Sequence, residues 1–444
     1  MSQWRVSDMA LALLTALAVL GAWEGYAVNH QQENGGCGGD FLQFYTAGSI
    51  VARGESVRLY DQDYFCSLQA PLREDPQHSL YPPTLALVMS PLALLSPSAA
   101  LKAWWLLQAI CLAACAAIFY RTTPLPRHWR ITMLVALAAL LPIWIGVGIG
   151  HLSPMLLLVL TGGLTWHRQG RRLAAGALLS LLAVKPQLAA GLTLWMLLRR
   201  DVRTLAGLAL GGVAQFTVVA EILGPGIWLD FVHALPGIAA STRAYVYSPL
   251  FEQSFAGIAS NLVDAAALPA LKIPAMRIVY AATSAAAAVA LCRVVAARQP
   301  FAGKQFPAAA TARAKHGGSG HFSCSPVLWP GVGFGMCRRN YEYACGVLFM
   351  TIFPPYFLVY DQTLLAIPLV MLWASPAWRW GVLLLAVSAV PLANLSFSIG
   401  FSVTGAAGLA TMIALAREAT FATAGDTRVL REVTSRFAQS LPIR

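Results

Sequence analysis

The chain has 444 residues, 57% hydrophobic and 11% charged, with a formal charge of +12. A soluble protein carries roughly 25% charged residues, so this composition excludes a soluble globular domain and indicates a polytopic helical membrane protein. The positive charge is scattered over short connections, which argues against a nucleic-acid footprint and makes it a determinant of topology.

The N-terminal run MSQWRVSDMALALLTALAVLGAWEGYAV resembles a signal sequence. Its apolar stretch is long and shows no clear small-x-small cleavage site, so it reads as an uncleaved first helix over 8–28. Segment 29–98 follows with three arginines against seven acids, and segment 224–274 holds one Arg and one Lys. Basic residues concentrate instead at Arg121, Arg127 and Arg130, at Arg168, Arg171 and Arg172, at Arg199, Arg200 and Arg203, from Arg298 to Arg339, and from Arg417 to Arg444. The positive-inside rule places these basic connections in the cytoplasm and the two long acidic or neutral loops outside.

With both termini inside, helices are predicted at 8–28, 99–120, 131–147, 153–166, 172–184, 188–198, 203–223, 275–297, 341–358, 362–374, 379–397 and 399–416. Segment 81–97 (YPPTLALVMSPLALLSP) is apolar but short and holds four prolines. Crossing there would turn Arg121–Arg130 outward, so it reads as interfacial or re-entrant. The layout is a transmembrane domain over 1–416, containing a first extracytoplasmic loop at 29–98 and a second at 224–274. An atypical cytoplasmic insert occupies 301–340 and a basic tail 417–444. No repeat of fixed period is visible.

Cys37 and Cys66 share the first outer loop and read either as a disulfide or as two free thiols. Cys111 and Cys115, one turn apart in a helix, read as packing residues. Insert 301–340 is rich in Gly and Ala; its His316, His321, Cys324 and Cys337 match no zinc ligand spacing, and the segment reads as disordered or frame-shifted.

Polar groups outside the basic connections gather at the predicted outer end: Glu24, Asp40, Tyr60, Asp61, Asp63, Tyr81, His151, Lys185, Gln187, Glu252, Gln253, Tyr360 and Asp361. Ionisable residues at helix ends in lipid are functional candidates. A transporter more often places them at mid-membrane on broken helices of matching halves.

The ordered motifs GGDFLQFYTAGSIVARGESVRLYD, YPPTLALVMSPLALL, GIGHLSPMLLLVL, GALLSLLAVKPQLA, FEQSFAGI and PPYFLVYDQTLLAIPLV resemble glycosyltransferase family 87, the polyprenyl-phosphate-mannose-dependent mannosyltransferases of the GT-C superfamily. The resemblance runs over most of 8–400, excluding 301–340. It implies an all-α GT-C-type bundle of about 12 transmembrane helices with a large first extracytoplasmic loop. It implies a hexosyltransferase of the cell (plasma or inner) membrane that takes a hexose from a polyprenyl-phosphate donor to a lipid or glycan acceptor on the extracytoplasmic face. The mechanism it implies is inverting, without metal or cofactor, with an aspartate of the first outer loop as base. That position here is Asp40.

Inverting transfer needs a base for the acceptor hydroxyl's proton. Phosphate is already a good leaving group, so the second carboxyl of a hydrolase is not required. Glycines flanking Asp40 let backbone approach a sugar closely; the competing reading makes Asp40 the N-cap of the helix that follows. Asp61-Gln62-Asp63 is a D-x-D tripeptide, but a monophosphate donor has no diphosphate for a metal to bridge, so these acids read as turn formers. Lys185 and His151 are the candidates for the donor phosphate. At His151 the family usually has Gly-Gln, and the imidazole donates as the amide would. The competing reading of Lys185 is a side chain snorkelling to headgroups. Tyr45, Tyr60, Tyr81 and Tyr360 offer sugar-stacking surfaces, and Gln187, Gln253 and Asp361 polar contacts to substrate.

A lipid or polysaccharide flippase and a non-enzymatic membrane scaffold are the alternatives. Label from polyprenyl-phosphate mannose appearing in a new lipid product distinguishes the enzyme. The loops carry no recognisable code for the acceptor.

Overall fold

The computed structural model describes residues 6–33, 39–72, 76–246, 272–297, 334–352, 359–373, 375, 377–388 and 403–419. Among these residues the fold is helical, with no strand. Helix α1 spans Val6–Glu33, α2 Gly39–Ala52, α3 Gln62–Gln69, α4 Pro83–Met89, α5 Pro97–Thr122, α6 Arg127–Ala138, α7 Leu141–Gly148 and α8 Ser153–Arg168. Then come α9 Arg172–Leu179, α10 Pro186–Leu198, α11 Val202–Leu223, α12 Ile227–Val246, α13 Lys272–Ala297, α14 Phe334–Ile352, α15 Ala366–Trp373 and α16 Trp378–Ser388. The last helix, α17, covers 403–419.

Helix ends follow local chemistry. The Ser96 hydroxyl caps α5 by accepting from Ala99 N–H at 3.4 Å, with Pro97 at the first helical position. The Asp201 carboxylate caps α11 at Thr204 N–H, and Gly224 ends that helix at φ 93°.

All twelve predicted segments contain helix, but four described helices are long and apolar enough to cross a membrane: Met9–Ala27, Pro97–Thr122, Val202–Leu223 and Arg277–Ala297. Their outer faces expose Leu13 and Leu20, Leu106 and Ile110, Leu210 and Val213, and Ile278 and Val289. Apolar side chains facing outward belong in lipid, so the chain is a membrane protein.

The predicted span 131–147 is broken in two, α6 and α7. Pro142 has no N–H for the Ala138 carbonyl four residues back, and the Trp144 indole N–H donates to that carbonyl instead, at 2.7 Å. The span 172–184 ends in a 3-10 turn, Ser180–Val184. Segment 224–274, predicted as the second outer loop, contains α12. Segment 81–97 forms the short α4 and a 3-10 turn at Leu92–Leu94, as its prolines require.

The described residues of segment 29–98, the predicted first outer loop, are folded. Helices α2, α3 and α4 pack over the ends of α11 and α12 through Ala47, Ile50, Phe65, Ala86, Leu223 and Ile227. Ser56 Oγ donates to the Leu223 carbonyl at 3.1 Å. Beneath, one continuous apolar core links α5, α8, α10, α14 and α15. Helices α9 and α11 cross backbone to backbone at Gly176 and Gly207, where any side chain would strike the facing helix.

Candidate active site

The start of α2 is fastened to the loop between α7 and α8. Asp40 N–H and Phe41 N–H both donate to the Ile149 carbonyl, at 2.9 and 3.2 Å, which satisfies two of the helix's first amides. Asp40 therefore lies inside the first turn of α2, not at the N-cap, with its side chain half-buried. Gly150 makes the docking possible. Its φ is +69°, and a Cβ there would come within 2.6 Å of Phe41 Cβ.

That loop carries His151, fully buried. Helix α5 holds its backbone: Trp104 Nε1 donates to the Gly150 carbonyl at 2.7 Å and Gln108 Nε2 to the His151 carbonyl at 2.8 Å. Ser153 N–H donates to His151 Nδ1 at 3.1 Å. Nδ1 is then the acceptor, so the neutral ring carries its proton on Nε2, which lies 3.4 Å from the Tyr81 hydroxyl. Burial first, and then the charge of Lys185, press the His151 pKa well below its usual value. The ring is a neutral donor.

Tyr81 precedes α4. Its ring meets Phe44 of α2 edge-on at 5.1 Å, and its carbonyl accepts from the Tyr60 hydroxyl at 3.0 Å. Burial, then the carboxylates of Asp40 and Asp361, hold the Tyr81 phenol well above its ordinary pKa. Lys185, the residue before α10, is also buried, and its Nζ lies 2.6 Å from Asp361 Oδ1. This overturns the snorkelling reading, since the ammonium points into protein at 4% exposure. Asp361 stands in the 3-10 segment Val359–Leu365 ahead of α15.

Asp40, Tyr81, His151, Lys185 and Asp361 thus form one electrostatic cluster at one end of the bundle, drawn from separate stretches of chain. Together they offer a carboxylate, an O–H, a neutral N–H and a buried ammonium paired to a second carboxylate.

The other candidates fall around or outside it. Tyr60 braces Tyr81 and packs on Phe231 of α12, ring centroids 5.5 Å apart. Tyr45 directs its hydroxyl to the Leu95 carbonyl at 2.9 Å, on the side of α2 facing that turn. Gln187 is half-buried, two residues after Lys185. Asp61 caps α3 by accepting from Tyr64 N–H at 3.1 Å and lies 3.5 Å from Arg58, while Asp63 is exposed in the first turn of the same helix. Gln253, Cys37 and the Tyr360 side chain lie outside the described residues. The Cys66 thiol lies 3.9 Å from the Gln77 carbonyl, and its pairing with Cys37 stays an expectation.

Sequence reasoning missed Trp104 and Gln108, and it missed that Lys185 and Asp361 are partners. It also missed a buried polar network at the opposite end. There His167 Nε2 lies 2.7 Å from Asp201 Oδ2 and its Nδ1 2.5 Å from the Tyr343 hydroxyl, while Arg199 and Glu342 pair at 2.5 Å with neither more than 1% exposed. Charge bias alone marks Arg199 as a cytoplasmic residue and says nothing of this pairing. Glu342, the one charged residue in the predicted helix 341–358, was the signal available.

No curated protein and no solved structure matches the chain. The model of glycosyltransferase family 87 matches residues 80–313, more than half of the 444 residues. The match takes in Tyr81, His151 and Lys185; it begins after Asp40 and ends before Asp361. A helical membrane protein with this clustered site and this match belongs to glycosyltransferase family 87.

Proposed function

We propose that the chain moves a hexose, mannose in the first instance, from a polyprenyl-phosphate donor to a lipid or glycan acceptor, with inversion and without metal. In this reading the bundle is of GT-C type with about twelve crossings, the domain is 1–416, and the site faces outward from the cell (plasma or inner) membrane. The observation that carries the proposal is the convergence of Asp40, Tyr81, His151, Lys185 and Asp361 at one end of the bundle. The family assignment supports transfer as the reaction class.

Asp40 takes the acceptor hydroxyl's proton as that oxygen attacks the anomeric carbon. The bond from the anomeric carbon to the phosphate oxygen breaks, and the polyprenyl phosphate leaves with the electron pair. Charge growing on the phosphate is met by the Lys185 ammonium and by the neutral donors His151 Nε2–H and Tyr81 O–H. Asp361 offsets the burial cost of Lys185 and fixes its direction, so Lys185 shares its charge between a permanent partner and a transient one. Tyr60 and α12 hold Tyr81 from the far side. Gln187 and Tyr360 stand beside cluster residues in sequence and, with Gln253 of the FEQSFAGI motif, are proposed as substrate contacts; Tyr45, with its hydroxyl committed to Leu95, contributes at most its ring face.

Membranes containing the protein, given labelled polyprenyl-phosphate mannose, test this. Label in a new glycolipid or glycan supports transfer. Label that changes leaflet without changing chemistry means a flippase.

A further inference from the structure

At the bundle end away from Asp40, the last turns of α5 and α8 meet α14 and α15 around a cavity of about 250 Å³. Helix α8 runs from Ser153 beside the active-site cluster to Arg168 in this cavity's wall, about 24 Å at 1.5 Å per residue. Among the described residues Arg168 is the one charged side chain lining the cavity; Thr122, Thr165, Gln169 and Asn340 are among its polar neighbours. The guanidinium donates to Asn340 Oδ1 at 3.3 Å and touches Met371 Sδ at 3.0 Å, both neutral groups.

Neighbouring arginines are treated differently. Arg172 has the Asp201 carboxylate at 3.7 Å and Arg199 has Glu342 at 2.5 Å. Among the described residues no carboxylate lies within 4.0 Å of Arg168, and the charge of Arg339 bears on it as well. A partly buried guanidinium facing a polar cavity, next to a second cation and without a counter-charge, costs free energy that an anion would offset. Its planar fork suits phosphate oxygens, and basic pockets between helix ends suit lipid headgroups.

We propose that this cavity binds the phosphate of a monoester or diester, held by Arg168 with Asn340. The two sources of that chemistry are an anionic lipid headgroup and free phosphate.

The experiment follows the thermal unfolding midpoint of the full-length protein in detergent at constant ionic strength. Phosphatidylglycerol, monogalactosyl diacylglycerol (which has no phosphate) and inorganic phosphate are titrated separately. Phosphatidylglycerol is expected to raise the midpoint and the galactolipid to leave it unchanged. A rise with inorganic phosphate as well identifies a general phosphate site; a rise with phosphatidylglycerol alone identifies a headgroup site. Arg168→Gln should raise the half-effective concentration at least about tenfold, the scale of one lost charge-assisted hydrogen bond. Arg168→Lys should recover part of it. Thr122→Trp, at the exposed rim, should block the response without altering charge. Arg171→Gln should respond as wild type, because Arg171 stacks on Trp166 at 4.9 Å and lies outside the cavity lining. Equal responses to the two lipids, or a wild-type response from both Arg168→Gln and Thr122→Trp, would overturn the proposal.

Discussion

Lys185 Nζ and Asp361 Oδ1 lie 2.6 Å apart, joining residues 176 positions distant in sequence, with both side chains at most 5% exposed. The pair ties the start of α10 to the turn before α15 and places an ammonium beside His151. A buried pair of this kind contributes little net stability, yet removing one partner leaves an uncompensated charge that costs about 3–5 kcal/mol.

The first prediction separates the strut from the catalyst. Lys185→Met should lower the thermal midpoint sharply, and Lys185→Met with Asp361→Leu should restore most of it. Turnover at saturating donor should stay low in the double variant, because the phosphate still lacks its ammonium. A double variant that regains both stability and turnover would leave the pair a purely structural strut. Lys185→Arg should keep the fold and lower turnover in part.

His151 gives a pH prediction. Its folded pKa is depressed by burial and by Lys185, so as pH falls below about 6.5 the unfolded chain takes a proton there that the folded chain refuses. Stability is therefore greatest above that value and is lost on acidification. His151→Gln should flatten the fall in thermal midpoint on its acid side while leaving the alkaline side unchanged. Since the amide also donates, His151→Gln should keep turnover within about tenfold, whereas His151→Leu should lose about a hundredfold. Equal turnover in the two variants would remove His151 from the phosphate.

For the D-x-D tripeptide the expected loss is structural. Asp61→Ala removes the cap of α3 and should cost about 1 kcal/mol. Asp61→Asn with Asp63→Asn should leave turnover nearly intact, and excess EDTA should not inhibit. Inhibition by EDTA reversed by magnesium or manganese would bring a metal into the mechanism.

Gly150 links fold to chemistry. Gly150→Ala places a methyl against Phe41 Cβ at a backbone angle of +69°, so it should destabilise by about 1 kcal/mol or more. Because the displaced helix carries Asp40, turnover per folded molecule should fall as well, by up to about a hundredfold for a shift near 1 Å. Unchanged turnover in the folded fraction would separate this loop from catalysis.

Much of the helical layout was legible because apolar runs are local signals: each of the twelve stretches contains helix. Their breaks were less legible. Pro142 stood in plain view, but its effect depends on Trp144 reaching the Ala138 carbonyl. Helix α12 was hidden by the Gly-Pro-Gly start of segment 224–274 and by Asp230 and His233 within its apolar pattern. Asp40 was conspicuous as a lone carboxylate among glycines. Its docking to Ile149 was not, nor was the pairing of Lys185 with Asp361, since contacts across more than a hundred residues leave no trace in spacing. Positive charge is a coarse signal: Arg168, Arg172 and Arg199 share one sequence signature, yet one lines a cavity and two reach carboxylates.

The most direct measurement is transfer by Asp40→Asn in the full-length protein at saturating polyprenyl-phosphate mannose, with donor binding measured on the same sample. The amide keeps the shape of the carboxylate and cannot take the acceptor's proton. Transfer should fall at least about a hundredfold, the range of general-base catalysis, while donor affinity and thermal midpoint stay near wild type. Turnover within about threefold of wild type, well inside that range, would contradict Asp40 as the base.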